Sequence, residues 1–368
     1  MKIGILTFHY AHNYGAVLQA YALKKYLSDL GHEVSVINYR NQTVLDNYPF
    51  PLKPMIRKKD ILFPNRWNNL RKEIIKTRLS KKDWIKQYEK FEVFINEYLE
   101  THGEWRQTAE KMDVIFFGSD QIWEKNITGG YDSIYLGYFR TKAIKASYAA
   151  SCFSVNDEFS EIFTKGINNF DYISVREESL ANALADFSQK SISTVTDPVL
   201  LLNKEDYFDL LEKDSKDRDY VLFYYVSDNA VLRQLSEYLR NEKNVKVIEI
   251  HYFRTPNTLC EWQRTDVGPE EFLSLIWNAN IVFTNSFHGT AFSVLFEKQF
   301  YTVSQNMRVL NLLEKLKLTH RNVKSLMQWK KDKGNSIDYN EVNKNKEIYL
   351  RESKNYITKI LETDKKGD

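Results

Sequence analysis

Residues 281–291 place a titratable side chain at a turn between two regular elements; they read Ile-Val-Phe-Thr-Asn-Ser-Phe-His-Gly-Thr-Ala. The apolar start predicts a buried strand and the run from Thr290 predicts a helix, so His288 lies where a strand leads into a helix. At a helix N-terminus, backbone N–H groups without helical partners and the positive end of the dipole favour an anion. A phosphate or carboxylate is therefore expected beside His288. The alternative is that the histidine only caps the helix.

Two other polar segments also follow predicted strands. In residues 7–23, Gly15 permits a close backbone approach at the start of a helix, and Asn13 can cap that helix or contact a ligand. In residues 117–123, Asp120 can act as an acid or a base, or can cap the following turn. Neither segment contains the G-x-G-x-x-G pattern, so the nicotinamide or flavin fingerprint is absent.

The composition narrows the class of protein. The chain has 368 residues, 43% of them hydrophobic and 14% aromatic, which is typical of a well-packed protein with room for two domains. A net charge of +3 is too small to indicate nucleic-acid binding, and we expect none. Cys152 and Cys260 lie outside any C-x-x-C pattern, which fits a reducing cytoplasm rather than a disulfide scaffold. No signal peptide or membrane span is predicted.

Strands and helices alternate along most of the chain, which predicts parallel sheets with ligands beyond the carboxyl ends of the strands. The fold class is therefore α/β, with two doubly wound, Rossmann-like domains separated by a cleft. We place the boundary in the charged segment Glu212 to Arg218. The predicted divisions are an N-terminal domain at 1–215 with a basic insert at about 43–110, a C-terminal domain at 216–340, and a C-terminal helix at 341–368. The last helix, roughly Glu341 to Leu361, is expected to return to the first domain.

The insert has its own composition. Residues 53–90 hold 13 Lys or Arg against 4 Asp or Glu, with apolar residues such as Trp67 and Trp84 interleaved. One interpretation is a surface that attracts anionic lipid or a diphosphate-linked glycan. The other, which we favour, is a charged helix whose apolar residues pack on the core.

Together these motifs resemble the polysaccharide pyruvyltransferase family. The resemblance rests on the loop Asn13-Tyr14-Gly15, on Gly118-Ser119-Asp120-Gln121 and on Ser286-Phe287-His288-Gly289, in that order. Residues 173–178 and the pair Asp197-Pro198 support it, and the coverage runs from about residue 1 to residue 317. The resemblance implies a GT-B-like two-domain fold. It also implies transfer of pyruvate from phosphoenolpyruvate onto a sugar of a surface polysaccharide, or its lipid-linked precursor, as a cyclic ketal.

The chain departs from the family at one position. Better-understood members have Arg-Leu-His where this chain has Ser286-Phe287-His288, and Ser286 cannot supply positive charge. Arg308 follows twenty residues after His288 and can return to the same cleft; Arg176 and Arg264 are further candidates for holding the donor's anionic groups.

The residues expected to act fall into three groups. We predict His288 as the acid or as a hydrogen-bond donor to the departing phosphate, and Asp120 as a second catalytic group. The predicted donor-binding residues are Ser286, Gly289, Thr290, Arg308, Arg176 and Arg264. The predicted acceptor-binding residues are His12, Asn13, Gly15 and Gln121.

The reaction so described needs no metal or resident cofactor, because phosphoenolpyruvate is a co-substrate. His9 and His12 have an H-x-x-H spacing, but on a predicted loop and without a nearby third ligand, so we interpret them as loop or acceptor residues.

Two other functions remain open from the sequence. One is a GT-B glycosyltransferase that holds a nucleotide sugar at the same helix N-terminus. The other is a non-catalytic family member that binds glycan. We expect a cytoplasmic protein; peripheral contact at the inner face of the membrane through residues 53–90 is the less favoured of the two interpretations of the basic insert.

Overall fold

A computed structural model describes residues 1–48, 50, 67–101, 103–152, 159–212, 219–251 and 263–363. Its first sheet has six parallel strands in the order β2-β1-β3-β4-β5-β6. These strands are β1 (Lys2–Leu6), β2 (Glu33–Val36), β3 (Val114–Asp120), β4 (Ile144–Ala150), β5 (Ile173–Val175) and β6 (Ile192–Thr194). All seven residues of β3 are buried, as expected for a parallel strand covered on both faces.

The second sheet has five parallel strands in the order β11-β10-β7-β8-β9. These are β7 (Val221–Tyr224), β8 (Val247–Ile250), β9 (Gln263–Arg264), β10 (Ile281–Thr284) and β11 (Gln299–Thr302). Two doubly wound sheets confirm the predicted α/β class. The boundary at Glu212 to Arg218 stays a prediction, because residues 213–218 lie outside the described part of the chain.

Helices connect and cover the strands of both sheets. The α-helices near the site are α1 (Tyr14–Asp29), α2 (Gln42–Asp46) and α3 (Trp67–Phe94), the last continued by a π-helical turn (Ile95–Leu99). Further along the first domain come α4 (Trp105–Ala109), α5 (Lys125–Thr128), α6 (Glu161–Ile167) and α7 (Glu178–Leu184), then 3₁₀ turns at Pro198–Leu200 and Lys204–Leu210. The second domain has α8 (Ala230–Lys243), α9 (Pro269–Asn278), α10 (Phe287–Leu295), α11 (Met307–Lys315), a 3₁₀ turn (Thr319–Arg321) and α12 (Leu326–Asp332). The last helix is α13 (Tyr339–Thr363).

The strand order places a topological switch point in each sheet. In the first sheet the order reverses between β1 and β3, and in the second it reverses between β7 and β10. In open parallel sheets, ligands bind beyond the carboxyl ends of the strands at such a point. The loops after Leu6, Asp120 and Thr284 are those that carry the three motifs found in the sequence.

The basic insert joins the two domains through the C-terminal half of α3. Trp84 and Phe91 are buried, and the largest buried apolar cluster contains Phe91 together with Phe272 of the second domain. Nε2 of Gln87 donates to the carbonyl of Val267 at 3.2 Å. The packing interpretation therefore holds for this half of the helix. Residues 51–66 lie outside the described residues.

The helix α13 packs back on the first sheet. The Tyr356 hydroxyl donates to the Ser147 carbonyl of β4 at 2.8 Å, and the backbone N–H of Thr196 donates to Oγ of Ser353 at 2.8 Å. The chain therefore ties its end to its first domain after completing the second sheet. Among the described helices, none has both the length and the apolar composition that crossing a bilayer requires.

Candidate functional site

A cavity of about 230 Å³ lies where the two switch points face each other. The first domain contributes one wall, from the loops after β1 and β3, and the second domain contributes the other, from the loops after β7, β10 and β11. Six predicted site residues line it: Asn13, Asp120, Gln121, Ser286, His288 and Arg308. The structure thus brings together half of the residues proposed from three distant motifs.

His288 lies in the first turn of α10, which begins where β10 ends. Ser286 is the N-cap residue, and its Oγ accepts a hydrogen bond from the backbone N–H of Gly289 at 3.2 Å. This serine therefore performs the capping role that was the alternative for His288. The histidine side chain is left to point into the site, where it is 8% exposed.

The imidazole ring of His288 packs against Gly15 of α1, across the boundary between the two domains. A Cβ atom built on Gly15 would lie 2.0 Å from Nδ1, 2.2 Å from Cε1 and 2.6 Å from Cγ of His288. Because no side chain fits in that space, glycine is required at residue 15 for the ring to occupy its position.

The other ring nitrogen of His288 faces a buried carboxylate. Oδ2 of Asp197 lies 3.5 Å from Nε2 of His288 and 2.7 Å from Nη2 of Arg176. Oδ1 of Asp197 accepts from the backbone N–H of Val199 at 3.0 Å. Burial alone would raise the pKa of Asp197, but Arg176 and His288 lower it to about 2, so the carboxylate is ionised at neutral pH.

The two arginines near the cavity have different surroundings. Arg176 is 4% exposed; besides Asp197, it donates to Oγ of Ser119, and its guanidinium lies 5.1 Å from the centre of the Phe287 ring. Its charge is therefore largely committed to the protein. Arg308 lines the cavity, and among the described residues no carboxylate forms an ion pair with it. Burial and the neighbouring Arg176 lower the pKa of Arg308.

Asp120 and Gln121 project from the carboxyl end of β3. The strand continues through the polar residues to Asp120, which has φ of 77°, a conformation uncommon outside glycine. Oδ1 of Asp120 accepts from the backbone N–H of Gln121 at 2.9 Å. Nε2 of Gln121 is buried without a hydrogen-bond partner among the described residues. Gln121 therefore offers the cavity an unused donor.

The structure does not bring His12 or Arg264 to the cavity. Nε2 of His12 lies 2.8 Å from Glu92 of α3, and its ring stacks on Phe91 at 5.1 Å. Arg264 lies on the edge strand β9 and pairs with Asp266 and Glu271. The sequence placed both near the site, but nearby carboxylates hold each side chain elsewhere.

Four further predicted residues contribute from behind the cavity wall. Gly15 accommodates the His288 ring, and Arg176 pairs with Asp197, as described above. Gly289 packs against Thr284, where a Cβ would lie 2.6 Å from Oγ1. Thr290 is fully buried and donates its hydroxyl to the Ser286 carbonyl at 2.8 Å. Asn13 lines the cavity and also caps α1, accepting from the N–H groups of Gly15 and Ala16.

Sequence reasoning missed several residues of the site. Asp197 entered only as part of a supporting motif; its signal was the acidic residue after a predicted strand, next to a proline. Tyr48, Tyr224 and Asn306 also line the cavity, and no local pattern in the sequence indicates that they do.

The H-x-x-H pair does not form a joint site. His9 is fully buried, with Nδ1 3.1 Å from the Thr7 carbonyl and Nε2 3.3 Å from Oδ1 of Asn38. Burial lowers the pKa of His9 to about 4, so it is neutral at physiological pH. In the part of the chain that the structure describes, no three His, Cys, Asp or Glu side chains are grouped to hold a metal ion.

The geometry suits a small anion beside a hydroxyl-bearing molecule. One cationic side chain, a histidine and a helix N-terminus converge from the second domain, which favours phosphate or carboxylate. The first-domain wall offers a carboxylate and an amide, groups that hydrogen-bond to hydroxyls.

Comparisons with known proteins agree with this description. A family model described as polysaccharide pyruvyl transferase matches residues 13–306. No curated protein matches the sequence significantly. The solved structure of a protein described as a UDP-N-acetylglucosamine 2-epimerase from Listeria monocytogenes is similar, with a TM-score of 0.55 at 10% identity, covering 100% of this chain and 97% of that one. S. aureus MnaA, solved with UDP, has a TM-score of 0.53 at 12% identity, covering 99% and 97%. At such identities these likenesses show the fold alone, which is the GT-B-like arrangement predicted from the sequence.

Proposed function

The chain belongs to the polysaccharide pyruvyl transferase family, and we propose that it moves pyruvate from phosphoenolpyruvate onto two hydroxyls of a sugar, forming a cyclic ketal. The acceptor is a sugar of a surface polysaccharide or of its lipid-linked precursor. The observation that carries the proposal is the placement of Arg308 beside His288 in one small cavity between the domains.

The reaction balances without a resident cofactor. In the first step a sugar oxygen bonds to C2 of phosphoenolpyruvate, and the methylene carbon gains a proton to become a methyl group. In the second step another sugar oxygen bonds to C2 while the bond from C2 to the phosphate oxygen breaks. The two hydroxyls lose two protons, one of which ends on carbon and the other on phosphate. No electron acceptor or metal is required.

Arg308 supports the donor side of this proposal. The chain has Ser286 where better-understood members have an arginine, yet both Arg308 and Ser286 line the cavity. A guanidinium from α11 therefore supplies positive charge in the same space. Its planar donors match a carboxylate or phosphate.

The first-domain wall supports the acceptor side. Asp120 can orient or deprotonate a sugar hydroxyl, and Gln121 can donate to a sugar oxygen from its unpaired amide. Asn13 presents its side chain beside them while capping α1.

A glycosyltransferase that uses a nucleotide sugar is the alternative function. Ser286 and the N-terminus of α10 lie at the cavity, and a serine hydroxyl and a helix N-terminus can hold a diphosphate. The guanidinium of Arg308 in the same cavity favours phosphoenolpyruvate, which carries a carboxylate and a phosphate on one small molecule.

The test is to incubate purified protein with phosphoenolpyruvate and a panel of lipid-linked sugars and to measure phosphate release together with the mass of the acceptor. The proposal predicts phosphate release that depends on the acceptor, and an acceptor mass increased by one ketal-linked pyruvate. Sugar transfer from UDP-sugars instead would support the glycosyltransferase. Glycan binding without turnover of either donor would support the non-catalytic hypothesis.

A second proposal concerns the basic helix α3. Exposed residues in the middle of this helix include the apolar Ile75 and Leu79 and the cations Arg78, Lys81 and Lys82. The opposite face of its C-terminal half packs into the protein, so the exposed face can meet an anionic membrane without unfolding. We propose that this face brings the enzyme to lipid-linked acceptors at the cytoplasmic surface.

A further inference from the structure

We infer that Asp197 is a positioning residue for His288, and that it leaves Nδ1 as the nitrogen through which His288 acts. The geometry stands on its own, whereas the chemical step that it serves rests on the proposed function. None of the sequence motifs or comparisons assigns this role to Asp197.

Asp197 is positioned to hold a proton on Nε2. Its carboxylate is fully buried, and each of its oxygens faces fixed groups: Oδ1 faces the backbone N–H of Val199, and Oδ2 faces Arg176 and His288. An ionised carboxylate can only accept hydrogen bonds. Nε2 of His288 lies 3.5 Å from Oδ2 of Asp197, and neither atom has a hydrogen-bond partner among the described residues, so the contact acts through charge. The negative carboxylate favours the neutral tautomer with its proton on Nε2, the nitrogen that faces Asp197, and the lone pair on Nδ1.

Gly15 and Arg176 keep this arrangement in place. The ring of His288 covers Gly15, so the neighbouring helix α1 restricts movement of the ring on that side. Arg176 compensates the buried charge of Asp197 at 2.7 Å, and it is itself tied to Ser119 beside Asp120. His288 from the second domain is thus oriented by side chains of the first domain.

This tautomer changes the role expected for the neutral histidine. A neutral ring with its proton on Nε2 cannot donate from Nδ1; it can only accept there. In each step of the proposed reaction a sugar hydroxyl loses a proton as its oxygen bonds to C2. Nδ1 can take that proton, and the resulting imidazolium, facing Asp197, can deliver it to the methylene carbon in the first step and to the departing phosphate in the second. His288 is then a base before it is an acid.

The experiment is ¹⁵N NMR of protein labelled at histidine, comparing the wild type with Asp197→Asn. At a pH where the ring is neutral, the wild type should show His288 as a single tautomer with its proton on Nε2. In Asp197→Asn the amide cannot accept from Val199, Arg176 and His288 at once, so the His288 signals should move towards those of mixed tautomers. A His288→Gln spectrum identifies the signals.

The second readout is turnover. Asp197→Asn should lower kcat by about 100-fold or more, the scale seen when a reacting group is displaced by about 1 Å. The dissociation constant for phosphoenolpyruvate should change less than threefold, because Asp197 does not line the cavity. A wild-type ring protonated on Nδ1, or the same tautomer and turnover in both proteins, would overturn the inference.

A second variant separates a change in the tautomer of His288 from a loss of folding. Removing one partner of a buried ion pair leaves an uncompensated charge, whereas removing both is often tolerated. Arg176→Gln/Asp197→Asn removes both charges and should show the same loss of the single tautomer in a folded protein. Because the NMR result needs no turnover, it decides the inference even if no pyruvyl transfer is found; a missing reaction would count only against the proposed function.

Discussion

The imidazole of His288 covers Gly15 so closely that a Cβ atom on residue 15 would lie 2.0 Å from Nδ1. The two residues come from different domains and from two different sequence motifs. Their contact means that the N-terminus of α1 shapes the position of the histidine on α10. The sequence predicted a close backbone approach at Gly15. The structure shows that the group approaching it is the imidazole of His288.

We predict that Gly15→Ala lowers turnover by about 100-fold while the protein stays folded. The added methyl must displace the ring of His288, and a displacement of about 1 Å at a reacting group can cost that much. Alanine is otherwise favoured over glycine within a helix, so the substitution has no intrinsic helix penalty. Steady-state kinetics and thermal unfolding measure the two effects separately.

Gly334→Ala is the matched control, because a Cβ there meets nothing within 4 Å. It should leave turnover unchanged. Near wild-type turnover in Gly15→Ala would mean that His288 tolerates displacement and that its contact with Gly15 does not contribute to catalysis.

We expect His288→Gln to lose about 10²- to 10⁴-fold in kcat, the usual contribution of a general acid or base. Glutamine keeps the approximate size and polarity of the side chain, so the melting temperature should change little. His320→Gln, at an exposed histidine outside the cavity, should retain full activity. If His288→Gln turns over like the wild type, the histidine has no chemical role and the site assignment is wrong.

The buried His9 should make stability depend on pH. Burial lowers its pKa from 6.5 to about 4, so between these values the unfolded chain binds a proton that the folded protein does not. The free energy of unfolding should therefore fall as pH decreases from 6.5 to 4, by up to about 3 kcal/mol from this group. The contribution of Asp197, whose pKa is about 2, is lost only at lower pH, below 3.8.

Urea unfolding of wild-type protein and His9→Gln at pH 7, 5.5 and 4.5 isolates the effect. The variant has no titratable group at residue 9, so its stability should fall less over this range, even if it is less stable at pH 7. Equal falls in both proteins would show that His9 is not held neutral.

For the exposed face of α3, we predict association with anionic but not neutral vesicles, decreasing as salt rises. Each basic residue near an anionic surface contributes roughly 1 kcal/mol before screening. The triple change Arg78→Gln/Lys81→Gln/Lys82→Gln should therefore weaken co-sedimentation by about tenfold or more.

The control for the vesicle experiment neutralises three exposed cations of α13, in Lys344→Gln/Arg351→Gln/Lys354→Gln. It lowers the net charge equally but on another face, so binding should persist. Equal pelleting with neutral vesicles, or equal losses in the two triple variants, would leave α3 as a structural bridge between the domains.

Much of the fold could be predicted from the sequence because parallel strands buried on both faces leave continuous apolar runs. β10 was expected from Ile281 onward and is observed at Ile281–Thr284. β9 was missed, since Gln263–Arg264 is a two-residue edge strand without an apolar run. The apolar run of β3 ends at Phe117, yet the strand continues to Asp120, which still pairs with Ala150 of β4.

The residues of the candidate site could be predicted where a motif follows a strand. They could not be predicted where contacts in the folded chain determine which side chains reach the cavity. Asp120, Ser286 and His288 reach the cavity because the carboxyl ends of parallel strands share one edge. His12 does not, because Glu92 of α3, which is distant in the sequence, holds it. Arg264 does not, because it lies on the edge strand β9 and pairs there with Asp266 and Glu271. Nothing local distinguishes Arg308, which lines the cavity, from Arg176, which the ion pair with Asp197 withdraws from it.

Arg308 and Arg264 form a natural pair for testing the donor site, since one lines the cavity and the other is ion-paired outside it. A charge-assisted hydrogen bond contributes about 1.5–3 kcal/mol, which corresponds to about 10- to 100-fold in affinity. Arg308→Ala should therefore weaken binding of phosphoenolpyruvate by that factor, and Arg264→Ala should not change it.

Isothermal titration calorimetry of phosphoenolpyruvate into wild-type protein, Arg308→Ala and Arg264→Ala is the most direct test of the central claim, with a UDP-sugar titrated in parallel. We predict that the wild type and Arg264→Ala bind phosphoenolpyruvate equally, that Arg308→Ala binds it about 10- to 100-fold more weakly, and that the wild type does not bind the UDP-sugar. Wild-type protein that binds the UDP-sugar but not phosphoenolpyruvate, or an Arg308→Ala variant with unchanged affinity, would contradict it.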